Sequence, residues 1–315
     1  MNLTFFCINN LYLEPAKVAV ASFKKVNPSI PVMVFHTPDV DAEKFKADLG
    51  KIEIETQVLT PMDSSWHKSS VFAPDEVNGA LLRLAAIDYI DTQMPDVRLA
   101  LYLDSDTVCM RPMASVWAAP LRNSLVAAAL DYPALPELEH LYKLHPDWDR
   151  RLDINDNYFN SGVMLLNMPR IREVFKGKLE QGFKDRYDPS WKQDDQDYLN
   201  MVFSENTPTL IMPRIFNFMP EIQMFRQMSS SMLIGQRDLG SNALLYHYAG
   251  RLKPWSQPRL IPDERAGTIR YDVYYAIVKR LLVSDVKLCN TFVGQVQVNA
   301  DLNSFVGKFL RDYME

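Results

Sequence analysis

The chain is expected to fold as an α/β protein built on a largely parallel sheet, and three observations lead there. Strand-like and helix-like segments alternate from the N-terminus onward. The apolar runs are short and stop at polar breaks, as strands covered on both faces do. One of them, Leu99 to Leu103, stops at two carboxylates, Asp104 and Asp106, with Ser105 between them. In open α/β sheets ligands bind beyond the carboxyl ends of the strands, so a site is expected there.

Leu3 to Ile8 reads as the first strand, broken by Asn9-Asn10. Glu14 to Val26 has helical spacing, with Val18, Ala21, Ser22 and Lys25 marking alternate faces, and Asn27-Pro28 stops it. Val32 to Phe35 is a second strand and Asp41 to Leu49 a second helix. Lys51 to Leu59 alternates apolar and polar residues, as a third strand would. This βαβαβ order predicts parallel pairing under right-handed crossovers. Thr60 to Asp75 is a polar loop containing Trp66, and Glu76 to Ile90 a helix that precedes the strand ending at Asp104.

Leu125 to Leu130 is a further strand, stopping at Asp131. Tyr132 to Asn157, rich in proline, charge and aromatic residues, is a long connection with a short helix near Glu137 to Leu144. Long ordered connections are usually functional. Tyr158 to Asn167 is a strand entered through a tight turn, Ile171 to Arg186 a helix, and Gln193 to Asp197 the start of a helix running to about Phe203. Thr209 to Met212 is a short strand, Phe216 to Pro220 a packed turn, and Leu244 to Tyr248 a strand carrying His247. Beyond Pro262 the character shifts, with a helix at Tyr271 to Val283. The expected boundary near Gln257 to Arg265 separates a catalytic domain, residues 1–256, from a mostly helical appendage, residues 257–315.

At 315 residues and 47% apolar content a sizeable core is available. A formal net charge of -5 argues against nucleic acid as partner. Cys7, Cys109 and Cys289 lie far apart and match no zinc spacing or disulfide framework, which points to a reducing compartment. No lysine or arginine precedes Lys17 and no apolar run approaches the length of a membrane span, so a cytoplasmic protein is expected. From Arg265 onward seven basic and five acidic residues make no polybasic anchor, so the appendage reads as structural, with peripheral contact at the inner face of the cytoplasmic membrane as its other reading.

Two carboxylates at a strand's edge repel unless a cation sits between them, and hard oxygen donors suit Mg2+ or Mn2+. Asp104 and Asp106 therefore read either as turn residues or as ligands of a metal that holds a phosphate ester. His247, ending a distant apolar strand, reads either as a half-buried histidine bonded to backbone or as a third ligand. Gly250 lets backbone approach a ligand closely; Lys253, which alone reads as a solvated lysine, reads in company with His247 as a point charge for a phosphate. Asp194 to Asp197 reads as an acidic helix start, which leaves Gln196 unexplained. Asn160-Ser161-Gly162 is either a plain turn or a way to aim an amide at a sugar hydroxyl.

Five blocks fall in order: Leu-Tyr-Leu-Asp104-Ser-Asp106, Tyr-Phe-Asn160-Ser-Gly162-Val-Met-Leu-Leu-Asn167, Asp194-Asp195-Gln196-Asp197, Phe216-Asn-Phe-Met-Pro220, and His247-Tyr-Ala-Gly250-Arg-Leu-Lys253-Pro-Trp255. Together they resemble the family 8 retaining glycosyltransferases, relatives of glycogenin and of bacterial lipooligosaccharide galactosyltransferases, over roughly residues 1–256. The resemblance implies the GT-A fold, a single Rossmann-like domain that uses a nucleotide sugar with Mn2+ or Mg2+. It implies Asp104, Asp106 and His247 as metal ligands, and Gly250 and Lys253 as diphosphate contacts. Arg83 and Ser105 fall with the donor-binding residues and Asn10 at a nucleotide-contacting position. Asp131, Asn160, Asp195 and Gln196 fall around the transferred sugar. The family often carries an acid in the loop after the first strand; here that loop reads Cys7-Ile8-Asn9-Asn10 and has none.

The implied activity is transfer of glucose or galactose from a UDP-sugar to a saccharide or glycolipid acceptor in bacterial lipopolysaccharide or surface-glycan synthesis. The alternatives weighed against it are the same chemistry on a protein or small molecule, and a non-catalytic nucleotide-sugar binder. The connection bearing Trp148 is the expected acceptor side.

Overall fold

The computed structural model describes residues 1–60, 74–131, 158–188, 191, 193, 195–219, 242–249, 253–255, 278 and 286–288, with backbone alone at 74–80. Trp66, the connection at 132–157 with its expected short helix and Trp148, Gly250, and most of the appendage, including all of its expected helix but Val278, lie outside these residues.

Nine strands are described: β1 (Asn2–Ile8), β2 (Val32–His36), β3 (Glu55–Val58), β4 (Leu99–Leu103), β5 (Thr107–Cys109), β6 (Val126–Leu130), β7 (Phe159–Asn167), β8 (Leu210–Ile211) and β9 (Leu245–His247). Six helices accompany them: α1 (Leu13–Val26), α2 (Ala42–Leu49), α3 (Pro74–Gln93), α4 (Met168–Phe175), α5 (Leu179–Arg186) and α6 (Asp195–Asn206). Seven strands form one sheet in the order β3-β2-β1-β4-β7-β6-β8, and β5 pairs with β9 in a separate ribbon.

The βαβαβ reading holds. β1 pairs in parallel with β2 and β4, and β2 with β3. Side chains alternate along β1: Leu3, Phe5 and Cys7 enter one apolar layer with α3 to α6, while Phe6 and Ile8 enter the other with α1 and α2. Each fully buried Phe of this strand contributes roughly 2 kcal/mol of burial free energy. α1 carries Pro15 in its first turn, where a missing N–H is tolerated, and Lys24 and Lys25 in its last, where they complement the carbonyl end.

β7 is the exception in the sheet. It runs antiparallel to both β4 and β6, with Leu103 opposite Val163. That reversal sets the start of β7 beside the end of β4, and the Asp104 N–H donates to Gly162 O at 2.8 Å.

Two expectations need correction. The third strand is shorter than Lys51 to Leu59, because only Glu55–Val58 pairs with β2. The helix expected over Ile171 to Arg186 is two helices. Lys176 and Gly177 adopt left-handed backbone, φ 54° and 68°. Asp91 Oδ2 accepts the Gly177 N–H, and the Asp88 carboxylate accepts the N–H groups of Leu179 and Glu180, each at 2.9 Å. The second helix is thus capped by α3, a partner that local spacing does not reveal.

Lys17 is buried between Glu14 (2.7 Å) and Asp48 (2.8 Å) and also donates to the carbonyl of Lys287. The Lys287 N–H returns to Asp48 O at 2.7 Å, and Val278 and Val286 are buried in the same apolar layer as α1. The described residues of the C-terminal stretch therefore pack on the α1–α2 face. No helix among the described residues is long and apolar enough to cross a membrane.

Candidate functional site

The carboxylates sit where β4 gives way to a tight turn. Thr107 Oγ1 donates to Asp104 O at 2.7 Å, and Ser105 Oγ donates to Cys7 O at 2.8 Å, tying the turn to the end of β1. β5 then leads away and pairs with β9, which sets His247 opposite Thr107. The result brings one ligand atom each from Asp104, Asp106 and His247 within 4.8 Å of one another. His247 Nε2 lies 3.4 Å from Asp104 Oδ2 and 3.1 Å from Asp106 Oδ1. Gly162 makes this approach possible: a Cβ there would lie 2.2 Å from His247 Cε1 and 2.5 Å from Asp104 Oδ2.

Asp106 Oδ1 is buried, and the only group it faces among the described residues is the His247 imidazole, with Nε2 at 3.1 Å. Two carboxylates and an imidazole facing one another at this range are a donor set that fits a hard divalent cation. Asp104, Asp106 and His247 could hold one. Burial alone would raise the Asp104 carboxyl, but Arg83, His247 and the Tyr102 hydroxyl together hold it well below the usual range. Asp106 is likewise held low against its burial, by Lys253 and His247. Burial disfavours the charged imidazole, yet the facing carboxylates push His247 up to about 9. A cation held between these groups would take the place of that proton.

Cations surround this corner. Lys253 Nζ donates to Asp106 Oδ2 and to Tyr248 O. It also lies 5.8 Å from the ring centres of both Tyr12 and Trp255. Arg83, buried on α3, reaches Asp195 Oδ2 with Nε at 2.7 Å and Asp104 Oδ1 with Nη1 at 3.7 Å. The same Nη1 donates to the backbone and hydroxyl oxygens of Ser161 at 2.9 Å, and the guanidinium covers the Tyr102 ring.

Asn160, Asp131 and Gln196 form a second, amide-rich corner at the start of β7. Gln196 Oε1 accepts the Ser161 N–H at 2.9 Å, and Nε2 donates to Asp131 Oδ2 at 2.6 Å and to the Tyr158 hydroxyl at 3.1 Å. Asn160 Nδ2 faces Asp131 Oδ2 and Gln196 Oε1, both at 3.4 Å. The acidic helix start resolves residue by residue. Asp197 Oδ2 accepts the Gln193 N–H at the head of α6, Asp195 pairs with Arg83, and Gln196 reaches β7.

Of the residues singled out from sequence, Asp104, Asp106, His247, Lys253, Arg83, Asp195, Gln196, Asp131 and Asn160 thus form one connected network, and Ser105 anchors its turn. Asn10 stands apart from it: it is exposed, and its Nδ2 donates to Asp39 O at 3.0 Å. Gly250 lies outside the described residues. Sequence reasoning missed Tyr102, Tyr158, Asp197 and Asn217. Tyr102 carried a signal, since it precedes Asp104 by two on a strand and so shares its face. Tyr102 OH donates to Asp104 Oδ1 and Tyr158 OH to Asp197 Oδ1. Asn217 falls inside the Phe216-to-Pro220 block, which placed it in the resemblance without giving it a role. Cys7 and Cys109 are buried free thiols, as expected, and burial pushes Cys109 up to about 12.

The family model of glycosyl transferase family 8 matches residues 3–258. The chain belongs to that family. Among relatives, it is 30% identical over 179 residues to a lipopolysaccharide 1,2-glucosyltransferase of Escherichia coli, covering 55% of this chain and 48% of that protein. A second such enzyme, from strain K12, is 22% identical over 80% of this chain and 72% of its own length. Glucoside xylosyltransferase 1 of Mus musculus is 30% identical over 41% of this chain and 34% of its own. The chain thus spans about half the length of the first of these relatives and a third of the last. Among solved structures, the galactosyltransferase LgtC, in complex with donor and acceptor sugar analogues, superposes with a TM-score of 0.61 at 22% identity, over 94% of this chain and 100% of that one. The glycosyltransferase GlyE of Streptococcus pneumoniae TIGR4 gives 0.58 at 17%, over 97% and 64%. These likenesses show the GT-A fold.

Proposed function

We propose that this family 8 member is a retaining hexosyltransferase that uses Mn2+ or Mg2+. It moves glucose or galactose from a UDP-sugar to a saccharide or glycolipid acceptor in bacterial lipopolysaccharide or surface-glycan synthesis. The observation that carries the proposal is the convergence of one buried or half-buried ligand atom each from Asp104, Asp106 and His247 within 4.8 Å of one another. The names of the Escherichia coli relatives support the hexose and the acceptor class.

In this reading Asp104, Asp106 and His247 hold the cation, which when bound offsets charge on the leaving diphosphate. Lys253 adds its ammonium where that charge develops, joined by the Gly250 backbone. Arg83 orients Asp195 and Ser161 from α3 and contacts the donor. Asp131, Asn160, Asp195 and Gln196 hold the sugar hydroxyls and steady the positive charge at the anomeric carbon. Gln196 is suited to holding rather than attack, because an amide is a poor nucleophile and its oxygen already accepts the Ser161 N–H. The acceptor hydroxyl then approaches on the face the diphosphate leaves. Residues 1–256 form the catalytic domain and 257–315 a structural appendage, and the protein acts in the cytoplasm.

A panel of UDP-glucose, UDP-galactose and UDP-xylose with Mn2+, read as UDP release with and without EDTA, tests the proposal. A hexose donor should be turned over and EDTA should abolish it. Turnover undiminished in EDTA, or no binding of any UDP-sugar, would sink it.

A further inference from the structure

Asn217 lies outside every role described above, yet it is buried in contact with both corners of the site. Its backbone is held firmly. The Asn217 N–H donates to Arg214 O at 3.0 Å, the next residue donates to Leu245 O, and the His247 N–H returns to Phe218 O at 2.9 Å. Its side chain has Oδ1 3.0 Å from His247 Nδ1 and Nδ2 2.9 Å from Asn160 Oδ1.

The polarity of this chain of bonds follows from a group that can only donate. The Gly162 backbone N–H points at the Asn160 amide at 3.1 Å, so the atom it meets is the oxygen. The opposite atom, Nδ2, then faces Asp131 Oδ2 and Gln196 Oε1, which are acceptors. Asn217 meets the same Asn160 oxygen and must present its NH2 there. Its own oxygen is thereby turned to His247 Nδ1, and an oxygen at that place requires a proton on Nδ1. In the neutral ring the lone pair is left on Nε2, the nitrogen facing Asp104 and Asp106.

We propose that Asn217 is a positioning residue: it holds His247 with Nδ1 protonated and Nε2 turned to Asp104 and Asp106, and it ties that imidazole to Asn160. The inference rests on the reading of those three residues as metal ligands. Only Asn offers a donor and an acceptor at this reach. Asp keeps the acceptor for Nδ1–H but sets oxygen against the Asn160 oxygen, and Leu removes both bonds.

The test is Mn2+ affinity of the full chain without donor, titrated by electron paramagnetic resonance, beside transfer kinetics. Asn217→Leu should weaken Mn2+ binding by about 10- to 100-fold. Asn217→Asp should bind Mn2+ no more weakly than the wild type while losing kcat, because Asn160 is disturbed and His247 is not. In the Mg2+-loaded wild type, 15N spectra should show the proton on Nδ1 of His247. Wild-type Mn2+ affinity in Asn217→Leu, equal loss of Mn2+ binding in Leu and Asp, or a proton on Nε2 would each overturn the proposal. Should Asn217→Leu not fold, the nearly isosteric Asn217→Asp decides by the split between metal binding and kcat. His247→Ala separates the two readings: unchanged Mn2+ binding there overturns the ligand assignment itself.

Discussion

The carboxylate corner and the amide corner adjoin at the start of β7 but are held by different forces. Asp104 and Asp106 are kept ionised by charged neighbours: Arg83, Lys253 and the imidazolium of His247. Around Gln196 the bonds run from neutral donors and a backbone N–H, with Asp131 accepting from the amide. Charge pairs are exchangeable, so the first corner can trade a proton for a metal cation. Saturated amide bonds fix direction, so the second corner is suited to holding hydroxyls in one orientation. The difference predicts that removing a side chain of the amide corner should lower transfer while leaving Mn2+ binding without donor untouched.

The largest expected effect is in the carboxylate corner. Asp104→Ala or Asp106→Ala leaves two ligand side chains of three. Loss of several kcal/mol of charge stabilisation should lower transfer by about a thousandfold or more and remove Mn2+ binding in parallel. UDP release and Mn2+ titration measure this, and a variant that transfers without binding Mn2+ would contradict it. Gly162→Ala comes next. Its Cβ has no room beside His247 and Asp104, so overpacking should cost about 1–3 kcal/mol in stability and weaken Mn2+ binding. Thermal melts and the same titration check both.

Gln196→Met strikes the amide corner alone. It removes the donor 2.6 Å from Asp131 Oδ2 and leaves the Ser161 N–H without its acceptor, at about 1–3 kcal/mol for the buried N–H left unsatisfied. Transfer and melting temperature should fall while Mn2+ affinity without donor stays at the wild-type value; a parallel loss of Mn2+ binding would erase the distinction. The smallest effect is expected from Lys253→Met. Removing a positive charge beside Asp106 should strengthen Mn2+ binding without donor by about tenfold, the Coulomb repulsion between an ammonium and a divalent cation as weakened by water, while the KM for the UDP-sugar rises. Weaker Mn2+ binding in this variant would show that Lys253 supports the cation rather than competing with it.

Legibility followed the same divide. The carboxylate corner was readable because its residues sit at the ends of apolar strands, where a polar residue stands out: Asp104 and Asp106 after β4, His247 at the end of β9. Asp195 and Gln196 were readable as a helix start with one residue left over. The roles of Asn217 and Tyr158 were not, although both fall in the blocks that carry the resemblance, since each acts on a side chain far away in sequence. The broken helix at Lys176-Gly177 hid for the same reason. Gly177 hinted at a stop, but the carboxylates that cap α5 come from α3.

By itself the sequence determined the alternation of β1 to β4 with their helices, the apolar layers on both sides of β1, and the three metal-ligand candidates, because these depend on residue periodicity and on where apolar runs end. Tertiary structure alone decided that β7 runs against β4, which sets Asn160 and Gly162 beside Asp104. It alone decided that β9 leaves the main sheet to pair with β5 and carry His247 to the carboxylates. Strand direction and partner choice are settled by contacts between segments distant in the chain. Those contacts turn a pair of acids after an apolar run into a closed ring of ligands, cations and amides.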